Sequence, residues 1–370
     1  MELSKPKGKP LPIGLDPGSS TVKAAQLITV GDKPQLLAAG SFVIPESLRK
    51  GNANRLDFMA RKLPGMLKSH GFVGNECILS MPAETTFVQH VKVPKGSVAQ
   101  TIANLAGELH GKLPFPADDA ILRYILAGDV LLEGEPRQEV IAVAVPRATL
   151  DAYLGMARRA KLDVACVNIE PCGIVECFAR LFRRASDATR TTLFIDLGTA
   201  STQVVLCTGQ RLVFARNLLK GTRLFDEALV AGMGVSLDEA ASLRAKVQQS
   251  SDDPAQAAEV YALMEPPLDE LSDELTQCLR YYESIFRNQR IDRIVFLGGG
   301  AYDKRICQAL AKRLNLPAQI GDPLLRIEPA PDTAMRIEFD RSVPQPQWAV
   351  AVGLSLGATM PEIAQAGDAA

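Results

Sequence analysis

Through the first 45 positions, apolar residues arrive in short runs broken by Gly, Pro and small polar residues. That is the pattern of strands rather than helices. Ile13–Leu15, Lys23–Val30 and Gln35–Phe42 read as three antiparallel strands. A helix is expected over Leu56–Leu67, with Pro64 bending or breaking it. Cys77–Met81 reads as a short buried strand. From Ser97 the period changes. Val98, Ile102, Leu105 and Leu109 share one helical face, behind a Ser97–Gln100 capping box. Leu113-Pro114-Phe115-Pro116 ends that helix. Strands at Ala120–Leu126 and Val140–Val145 and a helix at Thr149–Ala160 follow. Residues 87–165 thus carry a strand-helix-strand-strand-helix rhythm of their own, inserted after the first sheet.

The second half returns to the opening pattern. Thr191–Asp196, Thr202–Leu206 and Arg211–Arg216 read as strands, which predicts a duplicated sheet in an α/β protein. Helices are expected at Arg223–Ala231 and Leu237–Val247, then a turn at Ser250–Pro254. A long helix is expected from Pro267 to Asn288. Its apolar face is Leu268, Leu271, Leu275, Leu279, Tyr282 and Phe286. Ile291–Leu297 reads as a strand leading into three glycines, followed by a helix at Asp303–Leu314. Residues 326–347 read as a Pro-rich surface loop, Gln347–Leu356 as the last buried segment, and Gln365–Ala370 as a frayed end.

The chain has 370 residues, enough for two or more domains, and 47% of them are hydrophobic. Its net charge of −1 offers no overall basic field for nucleic acid. The basic start at Lys5, Lys7 and Lys9 reads as a solvated tail. No apolar run approaches the ~18 residues of a membrane span, and the start lacks the apolar stretch of a secretory signal. A cytoplasmic protein without direct membrane insertion is expected. The odd number of cysteines, seven, suits reduced buried thiols, and none stands at zinc-site spacing. His90 falls on the polar phase of its strand, so a surface position is expected.

Two runs 180 residues apart look like halves of one phosphate clamp. Asp16-Pro17-Gly18-Ser19-Ser20, with Lys23 beyond, follows one apolar strand; Asp196-Leu197-Gly198-Thr199 follows another. In each, Gly stands two places after the Asp and small hydroxyl residues follow. Such hairpins bring backbone N–H groups and hydroxyls close to a phosphate, because Gly removes the Cβ in the way. Asp16 and Asp196 are candidates to hold Mg²⁺ through water, since Mg²⁺ keeps several waters. Either Asp alone reads better as a turn cap; the two together, with Gly298, Gly299 and Gly300 further on, point to a nucleotide cleft. Lys23 is either a point charge for a phosphate or an exposed strand lysine. Glu170 is a candidate to orient a water for hydrolysis, or a charge at the start of a helix.

With these motifs placed, the chain resembles the actin-like ATPase superfamily: duplicated ribonuclease-H-like domains. Within it, the chain resembles the PilM family of type IV pilus assembly proteins, related to FtsA. The first motif matches down to Lys23, the second at Asp196–Thr199, and the adenosine motif at Leu297-Gly298-Gly299-Gly300-Ala301. Glu170-Pro171 resembles the pair before the first connecting helix of DnaK-type chaperones. Lys220-Gly221-Thr222 resembles the glycine turn after the second sheet. The Pro-Phe-Pro turn, Asp322-Pro323-Leu324 and Ala349–Leu354 resemble PilM segments. The family's ribose-side Glu-x-x-Lys pair falls at Ala241 and Arg244, a departure.

The resemblance implies a first actin-like subdomain at 10–86, completed by 166–188 and 346–362, and an inserted FtsA/PilM-type subdomain at 87–165. It implies a second domain at 189–345 whose helices at 223–289 cover the nucleotide. ATP or ADP with Mg²⁺ is the implied cofactor, held by Asp16, Gly18, Ser19, Ser20, Lys23, Asp196, Gly198, Thr199, Gly221, Arg244 and Gly298–Gly300. Glu170 is the catalytic candidate of what is at most a weak ATPase. The implied role is a scaffold of a type IV pilus or type II secretion complex, held at the inner membrane by the N-terminal tail of a PilN-like protein. Self-association is part of that picture. The competing expectations are an FtsA-like filament protein and a turnover ATPase or kinase of the same superfamily. The tail Pro361–Ala370 lacks the basic-apolar pattern of the FtsA membrane helix.

Overall fold

The computed structural model describes residues 8–357 except 32, 50, 51, 183, 250–252, 287, 288 and 332–339. The basic residues Lys5 and Lys7, the turn at 250–252, the expected helix end at Asn288 and the tail from 361 lie outside the described residues.

Three sheets organise the described residues. The chain opens with β1 (Lys9–Pro10), β2 (Ile13–Pro17), β3 (Thr21–Val30) and β4 (Lys33–Val43). Helices α1 (Glu46–Arg49) and α2 (Asn52–Ser69) lead to β5 (Glu76–Met81). A second unit follows: β6 (Phe87–Pro94), α3 (Val98–Leu109), β7 (Ala120–Leu132) and β8 (Glu135–Pro146). Helix α4 (Arg147–Arg159), β9 (Asp163–Ile169) and α5 (Glu170–Ala179) return to the first sheet. The second large sheet holds β10 (Thr191–Leu197), β11 (Thr202–Thr208), β12 (Arg211–Leu218), β13 (Ile291–Leu297) and β14 (Ala318–Ile320). Between β12 and β13 lie α6 (Arg223–Met233), α7 (Leu237–Gln249) and α8 (Pro254–Ile285); α9 (Lys304–Leu314) precedes β14. Finally β15 (Glu328–Pro329) pairs with β4, and α10 (Ala349–Ser355) packs on α5, β2 and β3.

The two large sheets follow one path. The first runs β4-β3-β2-β5-β9 and the second β12-β11-β10-β13-β14. In each, two antiparallel pairings come first and two parallel ones follow. The duplication expected from the repeated opening pattern is therefore present. Every residue of β2 is buried, as in strands covered on both faces. In the inserted unit the order is β6-β8-β7, and α3 lays Leu105 and Leu109 against Val91, Val93, Tyr124 and Val140. Its Ser97–Gln100 capping box forms.

Four expectations change. Helix α8 starts at Pro254, not Pro267, and carries Pro266 and Pro267 inside it. An interior proline costs about 3 kcal/mol, but Ala257, Val260 and Met264 extend the buried stripe of Leu268, Leu271 and Leu275, and that burial offsets the cost. Helix α2 likewise runs through Pro64, with Leu56, Met59, Leu63 and Met66 buried along one side. The segment after 326 is not simply a surface loop: Ile327, Ala330 and Gln345 are buried, and Glu328–Pro329 pairs with β4. His90 is not at the surface. Its side chain is 5% exposed and bonded to Glu139, while its ring stacks on Phe214 of β12 at 4.6 Å. The polar phase of β6 is covered by the second sheet, so strand alternation misplaces it. The seven cysteines are free, and all but half-buried Cys166 are buried. No helix among the described residues is long and apolar enough to cross a membrane.

Candidate functional site

Strands β2 and β10 bring their aspartates to equivalent places. Asp16 stands opposite Lys23 in the β2–β3 ladder, and Asp196 stands opposite Gln203 in the β10–β11 ladder. The two hairpin tips touch: Ser20 Oγ and Thr199 Oγ1 are 2.7 Å apart. Behind that contact is a cavity of about 110 Å³. Asp16, Gly18, Ser19, Ser20, Lys23, Asp196, Gly198, Thr199, Gly298 and Gly299 line it, together with Glu170. The structure thus gathers most of the residues singled out from sequence.

Three do not line it. Gly221 lets the chain pass against the Gly198 and Thr199 carbonyls, and Gly300 lies against Leu197 and Thr222. Arg244 is held by Asp226 through two hydrogen bonds of 2.7 and 3.1 Å, so its guanidinium is already engaged. Gly298 has φ +78°, and an added Cβ would collide with Asp196 Oδ1 and the Leu197 carbonyl. Only glycine permits both the conformation and that approach.

Charge in the cavity is unbalanced. Burial pushes the Asp196 carboxyl up to about 7, and the neighbouring Asp16 adds to the effect. Burial also raises Asp16, against the pull of Lys23 at 3.8 Å and of Arg55. Glu170 is raised well above the usual carboxylate range by burial and by both aspartates. Its Oε2 accepts a hydrogen bond from Gln203 Nε2 at 2.5 Å. Three carboxyl groups, Asp16 buried and Asp196 and Glu170 half-buried, therefore face Lys23, the one cation among the lining residues. Such a set calls for a further cation or for protons. Acceptor oxygens from carboxylates and hydroxyls are the donor set that Mg²⁺ takes.

Two supporting residues were not singled out from sequence. Gln203 occupies in the second hairpin the place of Lys23 in the first, which the repeated pattern would have disclosed. Arg55 is 3% exposed on α2, and its Nη2 donates to the Pro17 and Gly18 carbonyls at 3.0 and 2.8 Å. The signal was a charged residue one turn before Met59, on the helix's buried face.

A second concavity, about 450 Å³, lies where two sheet edges face each other. Edge strand β7 contributes Ile121, Arg123 and Ile125; edge strand β9 contributes Cys166–Ile169; Val143, Val145 and Leu150 are also part of the wall. A third, about 630 Å³, lies between β6 and β12 and includes Phe115 of the Pro-Phe-Pro turn.

A family model described as type IV pilus assembly protein PilM matches residues 14–359. Among solved structures, the chain is similar to a PilM–PilN type IV pilus biogenesis complex, with 22% identity and a TM-score of 0.77, covering 95% of this chain and 99% of that one. It is also similar to the ethanolamine utilization protein EutJ from Carboxydothermus hydrogenoformans, at 11% identity and a TM-score of 0.55, covering 95% and 91%. The duplicated sheets with their paired hairpins are the actin-like ATPase fold. With its sequence matched from 14 to 359, the chain belongs to the PilM family of type IV pilus assembly proteins.

Proposed function

We propose that this chain is a nucleotide-binding scaffold of a pilus inner-membrane assembly complex, with Mg·ATP or Mg·ADP in the cleft between the hairpins. The observation that carries the reading is the closure of two equivalent hairpins over a cavity lined by three carboxyl groups. Ser19, Ser20, Thr199 and the Gly18 and Gly198 turns would hold phosphate oxygens, and Lys23 would supply the point charge. Asp16 and Asp196 would hold Mg²⁺ through water, because among the described residues no three His, Cys, Asp or Glu side chains are placed to ligate a metal directly. The bound Mg²⁺ would neutralise phosphate charge. Glu170 would position a water, and turnover would be weak, since burial and the two aspartates beside it raise its carboxyl and disfavour its charged form. A cavity of 110 Å³ is below the roughly 300 Å³ of small-ligand pockets, so the hairpins would part to admit a nucleotide.

The partner we propose is the N-terminal tail of a PilN-like membrane protein, in the groove between β7 and β9. Two facing sheet edges with apolar walls suit an extended peptide, which adds main-chain hydrogen bonds to an edge and seats alternate side chains. The domain division proposed is 10–86 with 166–188 and 346–362, the insertion 87–165, and 189–345. The chain would then sit in the cytoplasm at the inner membrane through that tail. Titration calorimetry with Mg·ATP and Mg·ADP tests the cleft, and pull-down with the tail peptide, with and without ATP, tests the groove. Absence of heat at high protein concentration removes the first claim, and absence of capture in both conditions removes the second.

A further inference from the structure

We infer that Arg55 is a positioning residue of the first phosphate hairpin, and that its hydrogen bond to Tyr153 ties this hairpin to the groove between β7 and β9. The inference rests on the proposed occupants of the cleft and the groove, and it adds the physical connection between them.

Arg55 does not line the cleft cavity. It lies behind the hairpin, where Nη2 holds the Pro17 and Gly18 carbonyls and Nη1 donates to Tyr153 Oη at 3.0 Å. Both partners are deeply buried: Arg55 is 3% exposed and Tyr153 is 0% exposed. A buried guanidinium is costly unless paired and hydrogen-bonded, and an apolar residue would join α2 to α4 more cheaply. What the guanidinium adds is a fork that fixes two carbonyls of the phosphate turn, and a positive charge beside Asp16. Its Nε has no partner among the described residues, so the group is not saturated by the helices around it.

The other end of the connection is α4. Tyr153 sits one turn after Leu150, and Leu150 lines the groove. Val145, which also lines the groove, directly precedes Pro146 at the N-cap of α4. Val145, Met81 and Tyr153 belong to one buried cluster beneath the first sheet, with Leu150 packed against it. A peptide seated against Val145 and Leu150 therefore presses on the helix that holds Tyr153. Any displacement of α4 reaches Gly18 through only two hydrogen bonds. Coupling of this kind is reciprocal: nucleotide must bias the groove by the factor by which peptide biases the cleft.

The experiment measures Mg·ATP affinity of the full chain by calorimetry, with and without saturating synthetic tail peptide, in wild type, Tyr153→Phe and Arg55→Lys. The thermal midpoint of each is recorded. In wild type, peptide is expected to change Mg·ATP affinity at least about five-fold, the low end of measured couplings. Tyr153→Phe keeps the ring and loses only the hydroxyl. Its midpoint is expected to fall, because Arg55 Nη1 loses a buried acceptor, while its affinity for each ligand alone stays near wild type and the coupling factor falls to one. Arg55→Lys keeps the charge and loses the fork, and is expected to weaken Mg·ATP about ten-fold without peptide present. A wild-type coupling factor of one, or a factor unchanged in Tyr153→Phe, overturns the connection while leaving both sites standing. Wild-type affinity in Arg55→Lys overturns the positioning role. Failure of wild type to bind the peptide at all defeats the groove assignment and the connection together, and the Arg55→Lys result still decides the claim about the hairpin.

Discussion

The two hairpins share a backbone and differ in what surrounds it. A Cβ added at Gly18 would meet the Thr21 carbonyl at 2.8 Å, and one added at Gly198 would meet the Ser201 carbonyl at 2.8 Å. The turns are thus closed in the same way. In the first, the Pro17 and Gly18 carbonyls are taken by the guanidinium of Arg55. In the second, the Gly198 and Thr199 carbonyls accept from the Thr222 and Arg223 amides at the start of α6, at 2.9 and 3.0 Å. Opposite the aspartate stands a lysine in one case and a glutamine in the other. A duplicated fold has placed both nearby cations at the first hairpin, Lys23 on it and Arg55 on the helix behind it, and left the second with helix amides and neutral donors. Asp16 is pulled down by two cations, whereas only Lys23 pulls on Asp196, which burial carries to about 7.

The largest expected effect comes from the contact that crowds only the second aspartate. Gly298→Ala would force a Cβ onto Asp196 Oδ1 and demand φ +78° of an L residue. Overpacking plus strain predicts a loss of about 2–4 kcal/mol. Gly299→Ala, with nothing within 4 Å of its added Cβ, is the control and is expected near wild type. Thermal denaturation of the two variants measures the difference; equal midpoints contradict the crowding of Asp196.

Neutralising each aspartate probes the asymmetry directly. At pH 8, Asp196→Asn removes a half-buried charge that has no cation opposite it in the ladder, and is expected to stabilise the ligand-free protein by about 1–3 kcal/mol. Asp16→Asn also removes a carboxyl that burial raises, but gives up the pull of Lys23 and Arg55, and is expected to stabilise by less. Urea unfolding of both variants gives the two shifts. Shifts of equal size would mean that the hairpins are electrostatically alike.

The same asymmetry gives a pH dependence. Asp196 is raised in the folded state, so the folded protein binds the extra proton. Its contribution to stability is full below pH 4 and is lost as pH rises through about 7. Glu170 is raised as well and acts with the same sign. A divalent cation needs the charged form, so stabilisation by Mg·ATP is expected to grow from pH 6 to pH 8, by up to about ten-fold in affinity per unit below 7. Thermal shift at three pH values, with and without Mg·ATP, measures it. Stabilisation that shrinks as pH rises contradicts a cation seated against Asp196.

Both hairpins were legible in the sequence because their signal is local: an apolar run, an Asp, a Gly two places on, and small hydroxyls. The inserted unit was legible for the same reason, through the capping box and apolar face of α3. What escaped depends on distant elements. His90 lies on the polar phase of β6, but that face is covered by Phe214 from the second sheet. The start of α8 was hidden by Pro266 and Pro267, whose local cost is outweighed by burial across three earlier turns. Arg244 sits near the family's position, yet its engagement by Asp226 depends on how α6 meets α7. Arg55 acquires its meaning only when the turn at Pro17 folds over it.

The smallest expected effect concerns the hydrogen bond that joins the two hairpin tips. Ser20 and Thr199 are exchangeable as donor and acceptor, and their 2.7 Å contact closes a cavity smaller than a nucleotide requires. Entry of a nucleotide then exchanges this bond for bonds to phosphate oxygens. In a double-mutant cycle of Ser20→Ala and Thr199→Val, the coupling energy without nucleotide is expected at about 0.5–1.5 kcal/mol, the net value of one hydrogen bond. With Mg·ADP bound, each hydroxyl has its own phosphate partner, and the coupling is expected to fall toward zero while the single effects persist. Unfolding curves of the four proteins, with and without Mg·ADP, give both numbers. Coupling that persists at full strength with nucleotide would mean that the hairpins stay joined when the cleft is occupied. The phosphates would then lie to one side of the contact, and the hairpins would act as a fixed wall instead of two jaws.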